Sequence, residues 1–150
     1  MEQEPYNFRN LALWQKGQEL ALQVIEMTGK LPDTVSARVI ARQVVASSAS
    51  VPANIAEGHG RYSVAAYRNH LSIARGSICE TETWIDLLRR AGYIDSGLEE
   101  ELVRRCRELT GGLTNHMLAL ERKLASGGGK KIGEGAPAYA MDRHLDDETE

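Results

Sequence analysis

The chain is poor in aromatic residues and in cysteine, and this scarcity limits both its core and its chemistry. One phenylalanine, two tryptophans and five tyrosines occur among 150 residues. The core must therefore be built mainly from Leu, Ile, Val and Ala, and a hydrophobic content of 42% suffices for one domain with a buried interior. The two cysteines, Cys79 and Cys106, have no second cysteine nearby in sequence, so we predict small core residues and neither redox nor metal chemistry.

Long apolar runs are also missing. No stretch approaches the roughly 18 consecutive apolar residues that a membrane-spanning helix needs. The first residues, Met1 to Pro5, are acidic, whereas a secretory signal begins with basic residues and continues with apolar ones. We therefore expect a cytoplasmic protein without a membrane partner.

The net charge of −3 is unevenly distributed along the chain. Residues 126–150 contain three basic and six acidic side chains, so the remaining 125 residues carry 15 of each sign. Most of the basic residues in this neutral part are arginines, which suit bidentate recognition of phosphate better than lysines do. The composition allows local basic patches but gives no overall basic surface.

Four segments have the apolar spacing of amphipathic helices, alternating steps of three and four residues. The third is the clearest: one stripe of seven residues is continuous, and Ser77 and Trp84 belong to a second stripe beside it. A face this wide indicates contact with more than one neighbour, including another subunit. Ser96 and Glu99 are spaced as a capping box at the start of the fourth segment. The segments span approximately residues 11–28, 34–60, 63–92 and 96–125.

Proline and small residues distinguish the second segment. Ala46 to Ser50 are all small, which permits close approach of another helix. Pro52 follows within the same pattern, and because its ring clashes with the preceding turn, we expect a kink or a break near Ser48–Val51.

Short connections between four such segments favour antiparallel neighbours. The predicted fold is therefore all-α, an antiparallel up-down-up-down four-helix bundle over residues 1–125. Residues 126–150 lose the periodicity, are rich in glycine and end in acidic residues, which predicts a flexible, disordered tail.

The sequence contains none of the familiar signatures of catalysis or of metal binding. No histidine follows a glutamate by three residues, as the di-iron bundle motif requires, and no serine lies in a Gly-x-Ser-x-Gly turn. We expect no enzymatic activity, no catalytic residue, no metal and no cofactor. Glu80 falls in the second apolar stripe and Glu57 lies near Asn54, so both carboxylates are predicted to be buried and paired, with a structural role.

Five arginines are the remaining candidates for a functional surface. A basic stripe of this kind can contact phosphate groups. The competing interpretation is that these side chains form ordinary solvated faces and pair with nearby acids. The five are Arg38 and Arg42 on the second segment, Arg61 after it, and Arg68 and Arg75 on the third.

Three stretches of the sequence are distinctive when taken together: 11–16 (LALWQK), 50–61 (SVPANIAEGHGR), and 67–94, which contains IARGSICE and ends in GYI. In this order they resemble a bacterial four-helix-bundle family encoded in intervening sequences of large-subunit ribosomal RNA genes. That family, also called S23 ribosomal protein-like, is related to the accessory protein of diversity-generating retroelements. The residues that match its motif are Pro52, Asn54, Glu57, Gly58, Arg61, Arg75, Gly76, Ser77 and Glu80.

The resemblance implies properties that the composition does not show. It implies homopentamers and, from the retroelement relatives, nucleic-acid binding and association with a reverse transcriptase. One departure weakens the second implication: the family has a basic pair where this chain has Val45 and Ala46.

Two hypotheses follow. The first is a non-enzymatic, oligomeric nucleic-acid-binding accessory protein that contacts RNA or DNA through the five arginines, associated with rRNA intervening sequences or assisting a reverse transcriptase. The alternative is a self-assembling protein–protein interaction scaffold that does not bind nucleic acid.

Overall fold

The computed structural model describes residues 7–127, and within them every regular element is helical. A short 3-10 turn precedes four long α-helices. Their bounds are Phe8–Asn10 for the turn, then α1 at Ala12–Gly29, α2 at Val35–His59, α3 at Val64–Arg90 and α4 at Ser96–Ala125. The predicted all-α fold with four helices is confirmed.

Side-chain caps determine where three of the helices begin. The Thr34 hydroxyl accepts from the backbone N–H of the third following residue, and the Ser63 hydroxyl does the same at the start of α3. At α4 the cap is the Asp95 carboxylate, which accepts from Leu98 N at 2.8 Å. The predicted cap at Ser96 is therefore one residue off, because two adjacent side chains were both suited to the role.

The α2 helix is continuous through Pro52, so the predicted break does not occur, and the kink stays a prediction. Pro52 is buried and packs against Gly17 of α1, where an added Cβ would lie 3.3 Å from Pro52 Cβ. Because Gly17 has no side chain, the proline ring can fill the space between the two helices.

Each helix contacts two others: α1 touches α2 and α4, and α3 also touches α2 and α4. Within residues 7–127, α1 and α3 do not contact each other, nor do α2 and α4. Contacts between α2 and α3 pair Ser47 with Thr81 and Asn54 with His70, so residue numbers rise along one helix as they fall along the other. This is the relation that the predicted up-down-up-down order requires of these two helices.

The core lies along the continuous stripe predicted for α3, and all seven of its residues are buried: Tyr67, Leu71, Ala74, Ile78, Thr81, Ile85 and Leu88. Cys106 of α4 is also buried, as predicted, and burial raises the pKa of its thiol to about 12. Cys79 is exposed, so its predicted place in the core is wrong.

No helix within residues 7–127 combines the length and the apolar character needed to cross a bilayer. The predicted tail, residues 126–150, lies outside the described residues except for Ser126 and Gly127. α4 itself ends at Ala125.

Candidate nucleic-acid interface and its surroundings

A polar seam joins α2 and α3 at the residues of the 50–61 motif. The hydroxyls of Ser50 and Ser77 lie 3.0 Å apart across the two helices. Asn54 Nδ2 donates to both the carbonyl and the hydroxyl oxygen of Ser50, each at 2.9 Å. Deeper in the interface, Thr81 Oγ1 donates to Ser47 Oγ at 2.9 Å. Small hydroxyl side chains form hydrogen bonds with one another here, and their size lets α2 and α3 approach closely.

The seam continues to the end of α2 through His70 and Glu57. His70 Nδ1 lies 3.3 Å from Asn54 Oδ1 and 3.9 Å from Glu57 Oε2. Glu57 Oε1 accepts from Arg61 at 2.6 Å. These contacts tie the loop after α2 to α3, so we assign Asn54 and Glu57 a structural role.

The two motif glycines have different surroundings. A Cβ on Gly58 would lie 2.7 Å from His70 Cβ and 2.9 Å from Tyr67 Cδ2, distances that real structures do not tolerate. At Gly76 a Cβ would meet nothing within 4 Å. Close packing therefore requires a glycine at Gly58, whereas packing within the subunit does not explain the one at Gly76.

The predicted burial of the two carboxylates is wrong. The Glu57 side chain is 51% exposed and pairs with Arg61, not with Asn54 or Arg75. Glu80 is exposed, and its carboxylate accepts from Trp84 Nε1 at 3.3 Å on the surface of α3. Of the second apolar stripe of α3, Ser77 is buried against α2, whereas Ile73 and Leu87 are exposed. Glu80 therefore lies on a part of this face that no helix of the subunit covers.

Three of the five predicted phosphate-binding arginines are already paired. Arg38 binds Asp33, Arg61 binds Glu57 and Arg68 binds Glu121. All three pairs are partly exposed, where an ion pair contributes only about 0 to 1 kcal/mol and can be exchanged for a phosphate contact. Arg42 and Arg75 are exposed and form no ion pair with any side chain of residues 7–127.

The structure separates these arginines into different surfaces. Arg68 contacts α4 through Glu121, and Arg75, seven residues further along α3, lies on the same helix face. Arg38 and Arg42 lie on α2, which does not touch α4 within the described part of the chain. Two groups of cations therefore exist instead of one stripe.

Two further cations near the end of α4 were not among the predicted site residues. Arg122 and Lys123 are exposed in the last turn of α4 and have no carboxylate partner in the described range. Their position was a usable signal, because basic side chains favour a helix C-terminus. Arg122 directly follows Glu121, the partner of Arg68, so its backbone lies close to the group on α3 and α4.

An apolar surface lies between α1 and α2. Leu22 and Ile25 of α1 are 63% and 51% exposed. A shallow groove of about 440 Å³ is lined by Leu22 and Ile25 of α1 together with Trp14 and Ala53. Large apolar side chains grouped on one face of a small protein commonly mark an interaction surface.

A smaller apolar patch lies on α3. Ile73 and Leu87 are exposed there, and Trp84 is half-buried. These residues belong to the second apolar stripe, which was predicted to meet another subunit. Within the described subunit, that stripe is left partly uncovered.

Two histidines flank the buried Tyr67 near the end of α2. His116 Nε2 lies 3.1 Å from the Tyr67 hydroxyl, and the rings of His59 and Tyr67 meet edge to face. Burial lowers the pKa of His116, with the charge of Lys123 adding to the effect, and burial also lowers the pKa of His59. Among residues 7–127, no group of three His, Cys, Asp or Glu side chains is arranged to hold a metal ion.

Comparisons with known proteins identify relatives of the chain. The family described as 23S rRNA-intervening sequence protein matches residues 9–115. One similar solved structure, from Bacteroides thetaiotaomicron, is described as a protein with unknown function from the S23 ribosomal protein family. It is 28% identical, with a TM-score of 0.67 over 71% of this chain and 98% of the other. None of the curated proteins matches the chain.

Proposed function

This chain belongs to the 23S rRNA-intervening sequence protein family, and we propose that it is a non-enzymatic, oligomeric nucleic-acid-binding accessory protein of the cytoplasm. The family description names 23S rRNA, which makes RNA the first nucleic acid to test and DNA the comparison. A reverse transcriptase is the proposed protein partner.

One observation carries the proposal for nucleic acid: Arg42 and Arg75 are exposed cations without an acidic partner in the described part of the chain. A guanidinium in this state binds a phosphate without first giving up an ion pair. Each such contact also releases counterions condensed on the nucleic acid, so binding is favoured at low salt.

Assembly is the second part of the proposal, and the α1–α2 apolar surface supports it. Covering Leu22 and Ile25 with another subunit removes apolar area from water, at roughly 25 cal/mol for each Å². An oligomer also carries one copy of the two arginine groups for each of its subunits. A homopentamer binds one nucleic acid several times over, so weak single contacts add up to useful affinity.

Nucleic-acid binding is tested by filter retention of single-stranded RNA, and then of DNA, at low salt. We expect the paired substitution Arg42→Gln with Arg75→Gln to weaken binding clearly. Arg38→Gln is the matched control, since Arg38 lies one turn from Arg42 but is already paired with Asp33. We expect it to weaken binding less. No retention of either nucleic acid by the wild-type protein would contradict the proposal.

Assembly is tested by light scattering of the double variant Leu22→Ser and Ile25→Ser. Both side chains are more than half exposed, so the subunit should stay folded while the measured mass falls. Leu118→Ser is the control, because Leu118 is 43% exposed on α4, away from the α1–α2 surface. An unchanged mass in the double variant would argue against this placement of the interface.

The alternative is a self-assembling scaffold that does not bind nucleic acid. The observation that favours it is the pairing of Arg38, Arg61 and Arg68 with carboxylates, which leaves those sites electrically neutral. The scaffold predicts a stable oligomer that retains neither RNA nor DNA. Filter retention and light scattering together therefore distinguish the hypotheses, and copurification with a reverse transcriptase tests the protein partner.

A further inference from the structure

The chain leaves the bundle beside one of its two groups of cations. Arg68, Arg75 and Arg122 form a group that we call the α3–α4 basic stripe. Arg68 contacts Glu121 of α4, Arg75 shares its face of α3, and Arg122 lies in the last turn before α4 ends at Ala125. Only Arg68 of the three has an acidic partner within residues 7–127. The stripe therefore has unsatisfied positive charge close to the point where the chain continues.

Further along the sequence, after a linker that carries Lys130 and Lys131 against Glu134, a segment of the opposite charge follows. Residues 142–150 read DRHLDDETE and contain five carboxylates against a single arginine. The five are Asp142, Asp146, Asp147, Glu148 and Glu150. Carboxylates are the protein groups that imitate phosphate oxygens in pairing with guanidinium groups. The segment thus offers the stripe the same kind of contact that a nucleic acid offers.

The intervening length fits the distance to be covered. Asp142 lies fifteen residues beyond Gly127, and a glycine-rich chain of that length has a root-mean-square span of about 20 Å. Along the helices, Gly127 is six residues beyond Glu121, and Arg75 is seven residues beyond Arg68. At about 1.5 Å per residue this places Arg75 roughly 20 Å from Gly127. Matching spans give an effective concentration in the millimolar range.

We propose that the acidic segment 142–150 binds the α3–α4 basic stripe when nucleic acid is absent and competes with phosphate groups for it. The inference rests on the proposed nucleic-acid binding and adds a built-in restraint to it. Nucleic acid displaces the segment because it carries a charge on every nucleotide. Weak, non-specific nucleic acids are thereby disfavoured relative to ones that engage several subunits at once.

The test uses the full chain with five substitutions, Asp142→Asn, Asp146→Asn, Asp147→Asn, Glu148→Gln and Glu150→Gln. At low salt we expect this neutralised protein to bind single-stranded RNA roughly twofold to tenfold more tightly than the wild type, since a weak competitor at millimolar effective concentration is removed. The difference should disappear at high salt, where exposed charges are screened. Equal affinities at low salt would overturn the proposal.

A second comparison separates docking from general repulsion between an acidic segment and RNA. The same five substitutions are combined with Arg75→Gln and Arg122→Gln, which remove two exposed cations of the stripe. Docking predicts that neutralising the segment then increases the affinity for RNA little or not at all. An increase as large as in the wild-type background would overturn docking.

A readout without nucleic acid keeps this inference separable from the proposed function. In NMR spectra, neutralising the segment should shift the arginine side-chain signals of Arg75 and Arg122 while leaving that of Arg42 unchanged. Unshifted signals would overturn the docking. If the signals shift but neither protein binds RNA or DNA, the proposed function fails and the intramolecular contact stands.

Discussion

Replacing Gly58 by alanine should destabilise the bundle, because the new methyl group has no room. Its carbon would lie 2.7 Å from His70 Cβ and 2.9 Å from Tyr67 Cδ2. Ordinary contact between carbon atoms needs about 3.5 Å or more, so α2 and α3 must separate by nearly 1 Å. Neither neighbouring atom is the end of a flexible side chain that can move aside.

The expected size of the effect follows from two opposing contributions. Overpacking of this kind costs about 1 to 3 kcal/mol. Alanine recovers up to about 1 kcal/mol through its higher helix propensity, and less than that here because Gly58 is next to the last residue of α2. We expect a net decrease in stability of about 1 to 2 kcal/mol, which lowers the melting temperature by roughly 2 to 8 °C in a protein of this size.

Gly76→Ala is the matched control, since it makes the same chemical change in a helix where nothing lies within 4 Å of the new atom. It should leave stability unchanged or raise it by up to about 1 kcal/mol. Both variants are compared with the wild type by urea denaturation followed by circular dichroism, at one fixed protein concentration because subunit association contributes to apparent stability. A Gly58→Ala protein as stable as the wild type, or an equal destabilisation by Gly76→Ala, would refute the steric argument.

Three further predictions concern buried groups. Thr81→Val should lower the free energy of unfolding by about 1 kcal/mol, because it removes the buried bond from Thr81 to Ser47; a calorimetric melting curve identical to that of the wild type would refute this. Burial lowers the pKa of His116 below its ordinary value of 6.5. Below that pH the unfolded chain therefore binds more protons at this histidine than the folded chain does. Stability should therefore be fully present above about pH 6.5 and fall as the pH drops, and His116→Gln should flatten this dependence in denaturation curves between about pH 5 and 7. In a Cys79→Ser background, Cys106 should resist iodoacetamide until urea unfolds the chain, since burial raises the pKa of its thiol to about 12; labelling of the folded protein would contradict this.

Helix positions and core residues were predictable because they depend on local patterns. The stripe through Leu71, Ile78 and Ile85 repeats every three to four residues, and only one face of a helix can satisfy that spacing. The caps at Thr34 and Ser63 depend on a similarly local pattern, a hydroxyl three residues before the N–H from which it accepts. These features need no knowledge of which helices become neighbours.

Glu80 shows where local patterns stop being informative. It lies within an apolar face that is wide enough for two neighbours, yet Ser77 of the second stripe is buried against α2 while Ile73 and Leu87 stay exposed. The sequence indicates how wide an apolar face is, but not which part of that width a neighbouring helix covers. Cys79 belongs to neither apolar stripe and is exposed.

Ion pairing of the arginines was only partly predictable from the sequence. Arg61 and Glu57 are four residues apart, so their pair was foreseeable from helix geometry. Arg68 and Glu121 are 53 residues apart and meet only because α3 and α4 pack side by side. The fold must therefore be known before the candidate cations can be divided into those with and those without a carboxylate partner.

The salt dependence of RNA binding tests the central proposal most directly. The logarithm of the affinity of the wild-type protein for single-stranded RNA should fall linearly with the logarithm of the salt concentration. Substituting Arg42→Gln and Arg75→Gln together should make that slope shallower by about 0.7 for each phosphate group that an arginine no longer neutralises. Slopes that are equal in the two proteins, or no binding by the wild type even at low salt, would contradict nucleic-acid recognition through these arginines.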